Sequence, residues 1–142
     1  MRIKQINPAA LYDGAPFGMS QAAVDSGSGL VFVSGQVDWD THYQVRHGGI
    51  AEQAESALQN LLTVLDAAGS STGNVLQLRV YVRGELGDYM EILAPIMSKY
   101  FGASRPALTG IGVASLASPQ TLIEIEALAR VCDEVQAQQC IV

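Results

Sequence analysis

Few side chains in this sequence have the type and spacing that chemistry requires, and two acids near the C-terminus are the clearest of them. Glu124 and Glu126 occupy every second position together with Leu122 and Leu128, so a strand through this segment carries both carboxylates and both leucines on one face. Ser34 ends the apolar run LVFVSG, at what we expect to be a sheet edge. On residue type alone, Glu124 is a hydrogen-bonding or salt-bridging residue, and Ser34 bonds to the backbone at a strand end.

The histidines and glycines complete no catalytic or metal-binding pattern. His42 and His47 stand five residues apart in a polar loop, without the nearby cysteines or paired acids that a zinc site requires. Neither histidine is spaced with an acid so as to suggest a Ser–His–Asp triad with Ser34. The glycines at 48–49 and 110–112 lack the lysine and helix of a phosphate-binding loop. We therefore predict no metal, no cofactor and surface positions for both histidines.

The periodicity of the chain indicates which elements position these residues. Apolar residues recur at three- and four-residue steps from Ile50 to Ala68, as in an amphipathic helix, and Gly69 can end it. A second helix is expected from about Tyr89 to Phe101, where Pro95 should kink the helix or delay its start. Strands are predicted at 3–6, 20–25, 30–34, 75–82, 107–114 and 121–131.

This order predicts an α+β fold, a single mixed β-sheet with two helices packed on one face. In the strand 75–82, Leu78, Val80 and Val82 point one way, and the residues between them point the other way. The face without helices should be half-polar and meet a ligand or a partner subunit. It would carry Arg79, Tyr81, Glu124 and Glu126.

Composition limits the classes of partner. The 142 residues fit a single domain, 1–142, whose polar tail after residue 131 is expected to be loosely held. Hydrophobic residues make up 49% of the chain and charged residues 15%, so either the core is ordinary and rich in small residues, or apolar surface is buried against other copies. The net charge of −6 and the scattered basic residues make nucleic acid a poor partner.

The same inventory bears on location. No apolar run is long enough to span a bilayer, and the N-terminal segment has no apolar signal-peptide core. Cys132 and Cys140 are either free thiols or a late pair, and nothing indicates a secreted disulfide framework. We therefore predict a cytoplasmic protein without a membrane partner.

Five segments together resemble the RidA/YjgF family, which is also labelled endoribonuclease L-PSP. They are FVSGQVDWD, AEQAESALQNLLTVLDAAG, VLQLRVYVRG, KYFGASRPALTGIGVASL and LIEIEALARV, in the family's order between about Phe17 and Val131. The resemblance implies a chorismate-mutase-like fold. It also implies a homotrimer with the sheets around a central barrel and small-molecule clefts between subunits. The best-characterised members hydrolyse enamines and imines made from amino acids and release ammonia.

The resemblance assigns roles to three residues. Glu124, the first acid of the motif EIEA, matches the glutamate that handles the attacking water. Ser34 and Gly35 in VSGQ match a cleft serine and a point of close backbone approach. Trp39 in VDWD either covers the sheet edge or forms a wall of the cleft.

The departures from the family pattern include two at cleft positions. Met19 precedes Ser20-Gln21 where the family has a tyrosine, and Leu108 stands where the motif Pro-Ala-Arg-Ser has the arginine that binds the substrate's carboxylate. Arg105 is not taken as a substitute, because many members with that arginine also carry one at the position of Arg105. We therefore expect the cleft to prefer a ligand without a carboxylate, and desolvation beside Leu108 to raise the pKa of Glu124.

Three functions are compatible with these residues. The first is hydrolysis of an imine, enamine or related small electrophile that lacks a carboxylate, with Glu124 handling water while Ser34 and backbone groups orient the substrate. The second is a non-catalytic trimer that binds a small metabolite. The third is the endoribonuclease that the family's other label implies, which the acidic composition disfavours because RNA cleavage usually needs histidine or lysine groups and a basic path.

Overall fold

Short runs of alternating apolar and polar residues form the strands, and two longer amphipathic runs form the helices. The computed structural model describes residues 2–133. The strands are β1 (Ile3–Ile6), β2 (Ala22–Asp25), β3 (Leu30–Gln36), β4 (Val75–Arg83), β5 (Ala107–Val113) and β6 (Ile123–Arg130). The helices are α1 (Ile50–Ala67) and α2 (Met90–Phe101), and single 3₁₀ turns lie at Ala15–Phe17, Thr72–Asn74 and Leu86–Tyr89.

The strands make one six-stranded mixed sheet in the order β1-β2-β3-β6-β4-β5. Only the β4–β5 pair is parallel within residues 2–133. The last strand of the sequence, β6, enters the middle of the sheet and separates β3 from β4. The α+β fold with a mixed sheet is thus confirmed. Because β6 is central, its two glutamates lie beside the side chains of both β3 and β4.

The helices cover one face of the sheet, and α1 supplies most of that cover. Its apolar stripe is fully buried and includes Leu58, Leu61 and Val64. These side chains pack on sheet residues that point the same way, such as Leu78 and Ile125. Burial of this continuous apolar layer is the main contribution that stabilises the fold. The predicted stripe of the first helix is therefore confirmed.

The helix ends also follow the local sequence. The chain leaves α1 through Gly69, whose φ of +75° lies in the left-handed region that favours glycine. Pro95 lies inside α2, which begins at Met90 after a 3₁₀ turn. The expected delay of the second helix is small, since α2 starts one residue after the predicted Tyr89.

The opposite face of the sheet carries no helix. Its side chains are half-buried or exposed, and they combine polar groups with apolar ones such as Phe32, which is 52% exposed. The prediction of a half-polar face is confirmed. The part of the chain that the structure describes contains no helix that would fit across a lipid bilayer.

The C-terminal predictions are addressed only in part. Cys132 is disulfide-bonded and is therefore not a free thiol. Cys140 and the rest of the predicted tail beyond Asp133 lie outside the described residues, so the loosely held tail and the single domain over 1–142 stay predictions.

Candidate functional site

An irregularity in the pairing of β3 with β6 brings Glu124 against a glycine. The register shifts between Val33 and Gln36, where β3 bends past β6. A Cβ atom added at Gly35 would lie 2.5 Å from Cδ and 2.8 Å from Oε1 of Glu124. Only a residue without a side chain leaves room for the carboxyl group there. The Glu124 carboxyl group therefore packs directly against the backbone of Gly35.

Glu124 and Glu126 share a sheet face but have different surroundings. Glu126 accepts a hydrogen bond from the Tyr81 hydroxyl and lies 3.4 Å from a guanidinium nitrogen of Arg79. Glu124 is half-buried, and no described residue donates a hydrogen bond to it or forms an ion pair with it. Burial raises the pKa of Glu124, and the negative charge of Glu126 raises it further. Paired acids with such different environments are typical of acid–base sites.

Ser34 lies inside β3 and not at a sheet edge, because β3 continues to Gln36 and has neighbours on both sides. Its hydroxyl donates a 2.6 Å hydrogen bond to the Ser20 carbonyl, and its N–H donates to the Gln21 carbonyl at 2.9 Å. Both bonds attach the loop before β2 to β3. Ser34 therefore positions the Met19–Gln21 segment, as its predicted structural role requires.

Met19 shares a concavity of the helix-free face with Ser34 and Phe32. The Met19 sulfur accepts a hydrogen bond from the Tyr12 hydroxyl at 3.7 Å. Tyr12 also packs against Trp39, with ring centroids 5.1 Å apart. Trp39 in turn donates from Nε1 to the Thr121 hydroxyl at 3.0 Å, so it links the loop after β3 to the segment before β6.

Tyr12 is a residue that reasoning from sequence missed. It lies in the loop between β1 and β2, where proline and glycine conceal any periodicity, and no motif includes it. Its ring is buried between Trp39 and Tyr43, whose ring centroid is 5.8 Å away. Since no local pattern places this ring, only the folded chain reveals it as part of the site.

Leu108 does not lie near Glu124 within one chain. In the sheet, Leu108 pairs with Leu78 and Glu124 pairs with Tyr81, and residues 78 and 81 of β4 point to opposite faces. Leu108 is 50% exposed and lines a concavity with Phe101 of α2. A cleft that contains both Leu108 and Glu124 would therefore need two copies of the chain.

The concavity beside Leu108 is lined by a positively charged side chain. Arg105 lines the same concavity and forms no ion pair with any residue between 2 and 133. Its backbone φ of +44° is rare for a residue other than glycine, and its N–H donates to the Phe101 carbonyl at 3.1 Å. The expectation of a ligand without a carboxylate assumed that Leu108 leaves this place uncharged. Arg105 is a cation beside Leu108, and the expectation of a ligand without a carboxylate stays a prediction.

His47 contacts the carboxylate of Asp38, a pairing that the positions of the two residues in the sequence do not predict. Asp38 is fully buried, and its two carboxylate oxygens each lie 3.1 Å from His47 Nδ1, while one also accepts the His47 N–H at 2.7 Å. His47 is itself exposed, as predicted, and the contact with Asp38 is an addition that the sequence did not predict. His42 is exposed, as expected. No group of three or more histidines, cysteines and acids within residues 2–133 could hold a metal ion.

Comparison with known proteins places these residues in a family. The family model described as endoribonuclease L-PSP matches residues 13–131. A RutC family protein of Pyrococcus abyssi is 33% identical over 80% of this chain and 87% of its own length. The human 2-iminobutanoate/2-iminopropanoate deaminase is 33% identical over 89% of this chain and 90% of its own length. The relatives include a yeast protein named as mitochondrial, so the cytoplasmic location stays a prediction.

Solved structures agree with the fold. A Thermotoga maritima protein matches with a TM-score of 0.80 and 33% identity over 89% of this chain and 96% of its own. A Mycobacterium tuberculosis member of the YjgF/YER057c/UK114 family matches with a TM-score of 0.75 and 25% identity, over 91% of this chain and 99% of its own. With a family model that covers most of its length, this chain belongs to the endoribonuclease L-PSP family, the RidA/YjgF group that its motifs resemble.

Proposed function

We propose that this protein hydrolyses small imines or enamines to carbonyl compounds and ammonia, in clefts between the subunits of a homotrimer. The observation that carries the proposal is the half-buried Glu124 carboxyl group, which rests on Gly35 and has no partner in the described chain. A deaminase of 2-iminobutanoate and 2-iminopropanoate among the relatives supports the same reaction class. Ser34 and nearby backbone groups would hold the substrate over this carboxylate.

The reaction needs one group that moves protons. The water oxygen adds to the carbon of the C=N bond as Glu124 takes one of the water protons, and Glu124 passes this proton to the nitrogen to give a tetrahedral carbinolamine. Glu124 then takes the proton of the carbinolamine hydroxyl and delivers it to the nitrogen, so that the C–N bond breaks and ammonia leaves as the C=O bond forms. A carboxyl group with a raised pKa suits both steps, because its proton affinity approaches that of the groups it serves.

The assembly is part of the proposal. Leu108 and Glu124 lie on opposite faces of one sheet, so a single cleft can include both only where two copies meet. Apolar side chains left exposed on the helix-free face, such as Phe32, are suited to burial between copies. A homotrimer built on this face would cover Phe32 and complete each cleft with the Leu108 concavity of a neighbour.

The substrate class follows from the charge beside Leu108. An unpaired guanidinium can bind a carboxylate through two parallel hydrogen bonds, and Arg105 is the described cation that lines this concavity. We therefore propose that Arg105 binds the carboxylate of amino-acid-derived imines, in place of the residue that Leu108 replaces. This proposal is an alternative to the ligand without a carboxylate that the replacement of the motif arginine by Leu108 predicts, and the assay below distinguishes the two.

The test measures ammonia release from imines generated in the cuvette, with and without a carboxylate. We expect acceleration by the wild type and loss of about 100-fold or more in Glu124→Gln, a typical contribution of a general acid–base group. Glu91→Gln, an exposed acid on α2, is the matched control and should keep full activity. If the wild-type protein does not exceed the uncatalysed rate with any imine, the proposal that it is an imine hydrolase is refuted.

A second candidate is a trimer that binds a small metabolite without turnover. It is favoured by Ser34, whose hydroxyl proton is already donated to the Ser20 carbonyl, which leaves only the lone pairs of its oxygen to contact a substrate. Saturable binding of small carboxylates without ammonia release would support this candidate. RNA cleavage that survives purification and disappears in Glu124→Gln would instead support the endoribonuclease of the family label.

A further inference from the structure

Glu126 is the second acid of the helix-free face, and two side chains of β4 hold its carboxyl group in place. The Tyr81 hydroxyl donates to Oε1 of Glu126, and a guanidinium nitrogen of Arg79 lies 3.4 Å from the same oxygen. Arg79 is also the direct partner of Glu126 in the register of β4 with β6. The Arg79 side chain is 49% exposed, so water screens its positive charge. These contacts fix the position of a negative charge on the sheet without burying it.

The strand register brings this charge next to Glu124. The two acids are two residues apart on β6, so their side chains leave the same face from Cα atoms about 7 Å apart. Tyr81 is the direct partner of Glu124 across the β4–β6 pair, where opposite Cβ atoms are typically about 4.5–5.5 Å apart. Tyr81 therefore adjoins both acids, yet it donates its one hydroxyl proton to Glu126.

The other neighbours of Glu124 do not offset the charge of Glu126. On the β3 side, the carboxyl group packs against the uncharged backbone of Gly35. Tyr12, in the loop before β2, is a neutral phenol whose pKa is raised mainly by burial and further by the charge of Glu124. Burial and then the charge of Glu126 raise the pKa of Glu124 itself. Among residues 2–133, the charged side chains that face Glu124 from its own and the neighbouring strands are thus Glu126 and Arg79.

We propose that Glu126 is a positioning residue for the proposed reaction, whose anchored negative charge acts on Glu124 so that Glu124 accepts a proton and passes it to the substrate nitrogen. Repulsion between neighbouring carboxylates favours the protonated form of the one that lacks partners. Tyr81 and Arg79 decide which acid that is, because both bind Glu126 and leave Glu124 without a donor. The proposal rests on the proposed function for the identity of the reaction, but the coupling of the two acids does not require turnover.

Glu126→Gln is the decisive variant, because it removes the charge and keeps a side-chain oxygen that can accept the Tyr81 hydroxyl. In an NMR titration of the Glu124 carboxyl carbon, the curve of this variant should move to lower pH than that of the wild type. Glu91→Gln, which removes an exposed acid from α2, is the matched control and should leave the curve unchanged. Superimposable curves for Glu126→Gln and wild type would overturn the proposal.

Arg79→Gln separates an effect of charge from a structural one. Removal of the cation leaves the charge of Glu126 less compensated, so the Glu124 curve should move to higher pH, opposite to the shift in Glu126→Gln. If Glu126 and Arg79 only held the sheet together, loss of either partner would disturb Glu124 in the same way. Shifts of both variants in the same direction would therefore contradict the proposal.

The rate of imine hydrolysis gives a readout that depends on the proposed function. In Glu126→Gln, kcat at pH 7 should fall by about three- to tenfold, less than in Glu124→Gln, because the proton-transferring carboxyl group itself is retained. The limb of the pH–kcat profile that reports Glu124 should move to lower pH with the titration curve. If the wild type hydrolyses no imine, the proposed function fails, whereas the titrations still decide whether Glu126 acts on Glu124.

Discussion

A methyl group at position 35 should inactivate the site with little effect on the fold. The Cβ atom of Gly35→Ala would lie 2.5 Å from Cδ of Glu124, whereas carbon atoms in contact are normally about 3.5–4.0 Å apart. The Glu124 carboxyl group must therefore retreat by about 1 Å. Gly35 does not have a positive φ, so the backbone itself accepts alanine without strain.

Gly35→Ala should reduce activity more than it reduces the free energy of unfolding. The atoms that obstruct the new methyl group are the far end of a flexible side chain, which can rotate away, so the free energy of unfolding should drop by about 1 kcal/mol, the low end for overpacking. A displacement of about 1 Å in a reacting group commonly reduces the rate by about 100-fold. We expect a loss of that size in kcat for imine hydrolysis.

Ammonia release and thermal unfolding are measured side by side for the variant and for Gly48→Ala, the control. Nothing lies within 4 Å of a Cβ atom at Gly48, so this control should behave as wild type. Glu124→Asp shortens the obstructing side chain, so combined with Gly35→Ala it should lose less activity than the sum of the two single changes. Full activity in Gly35→Ala would refute the placement of the reacting carboxyl group on Gly35.

Three further predictions concern charge and hydrogen bonding. Glu124→Gln should be more stable than wild type at pH 7 and lose that advantage below about pH 4.5. Because the pKa of Glu124 is raised in the folded protein, folding favours the protonated form of this acid, and the stabilisation is lost as the pH rises through the raised pKa. Thermal melts of wild type and variant at pH 7 and below pH 4.5 check this prediction. Gln53→Leu should lower the free energy of unfolding by about 3 kcal/mol in urea titrations, because two loop carbonyls and one N–H lose a buried partner at 2.8 Å. Leu108→Arg should tighten the binding of small carboxylates by about tenfold or more in calorimetry, and Arg105→Gln should weaken it; no change in either variant would contradict the assigned cleft.

Much of the fold is predictable because the signals are local. The stripe from Ile50 to Ala68 predicts α1, since a helix must bury apolar residues spaced by three and four. The alternation in 123–130 likewise predicts which side of β6 meets the core. Strand order is different: alternation is the same for a central strand and an edge strand, so the position of β6 between β3 and β4 could not be read from the residues.

The candidate site is predictable only where a motif names its residues. Glu124 and Gly35 are found through family motifs, and the structure adds that one rests on the other. Tyr12 and the Asp38–His47 pair carry no such signal, because their partners are chosen by loop paths and not by periodicity. Whether the motif residues act in catalysis stays a prediction until the variants above are measured.

By itself, the sequence determined the class of fold, the two faces of the sheet and the family, because each depends on short-range periodicity or on motifs in a fixed order. Only the tertiary structure decided which of the marked residues lie near each other. It put Leu108 and Glu124 on opposite faces of one sheet and Arg105 in the concavity beside Leu108. The physical reason is that strand register and loop closure determine distances between residues far apart in the chain, and neither is encoded in the spacing of side chains along it.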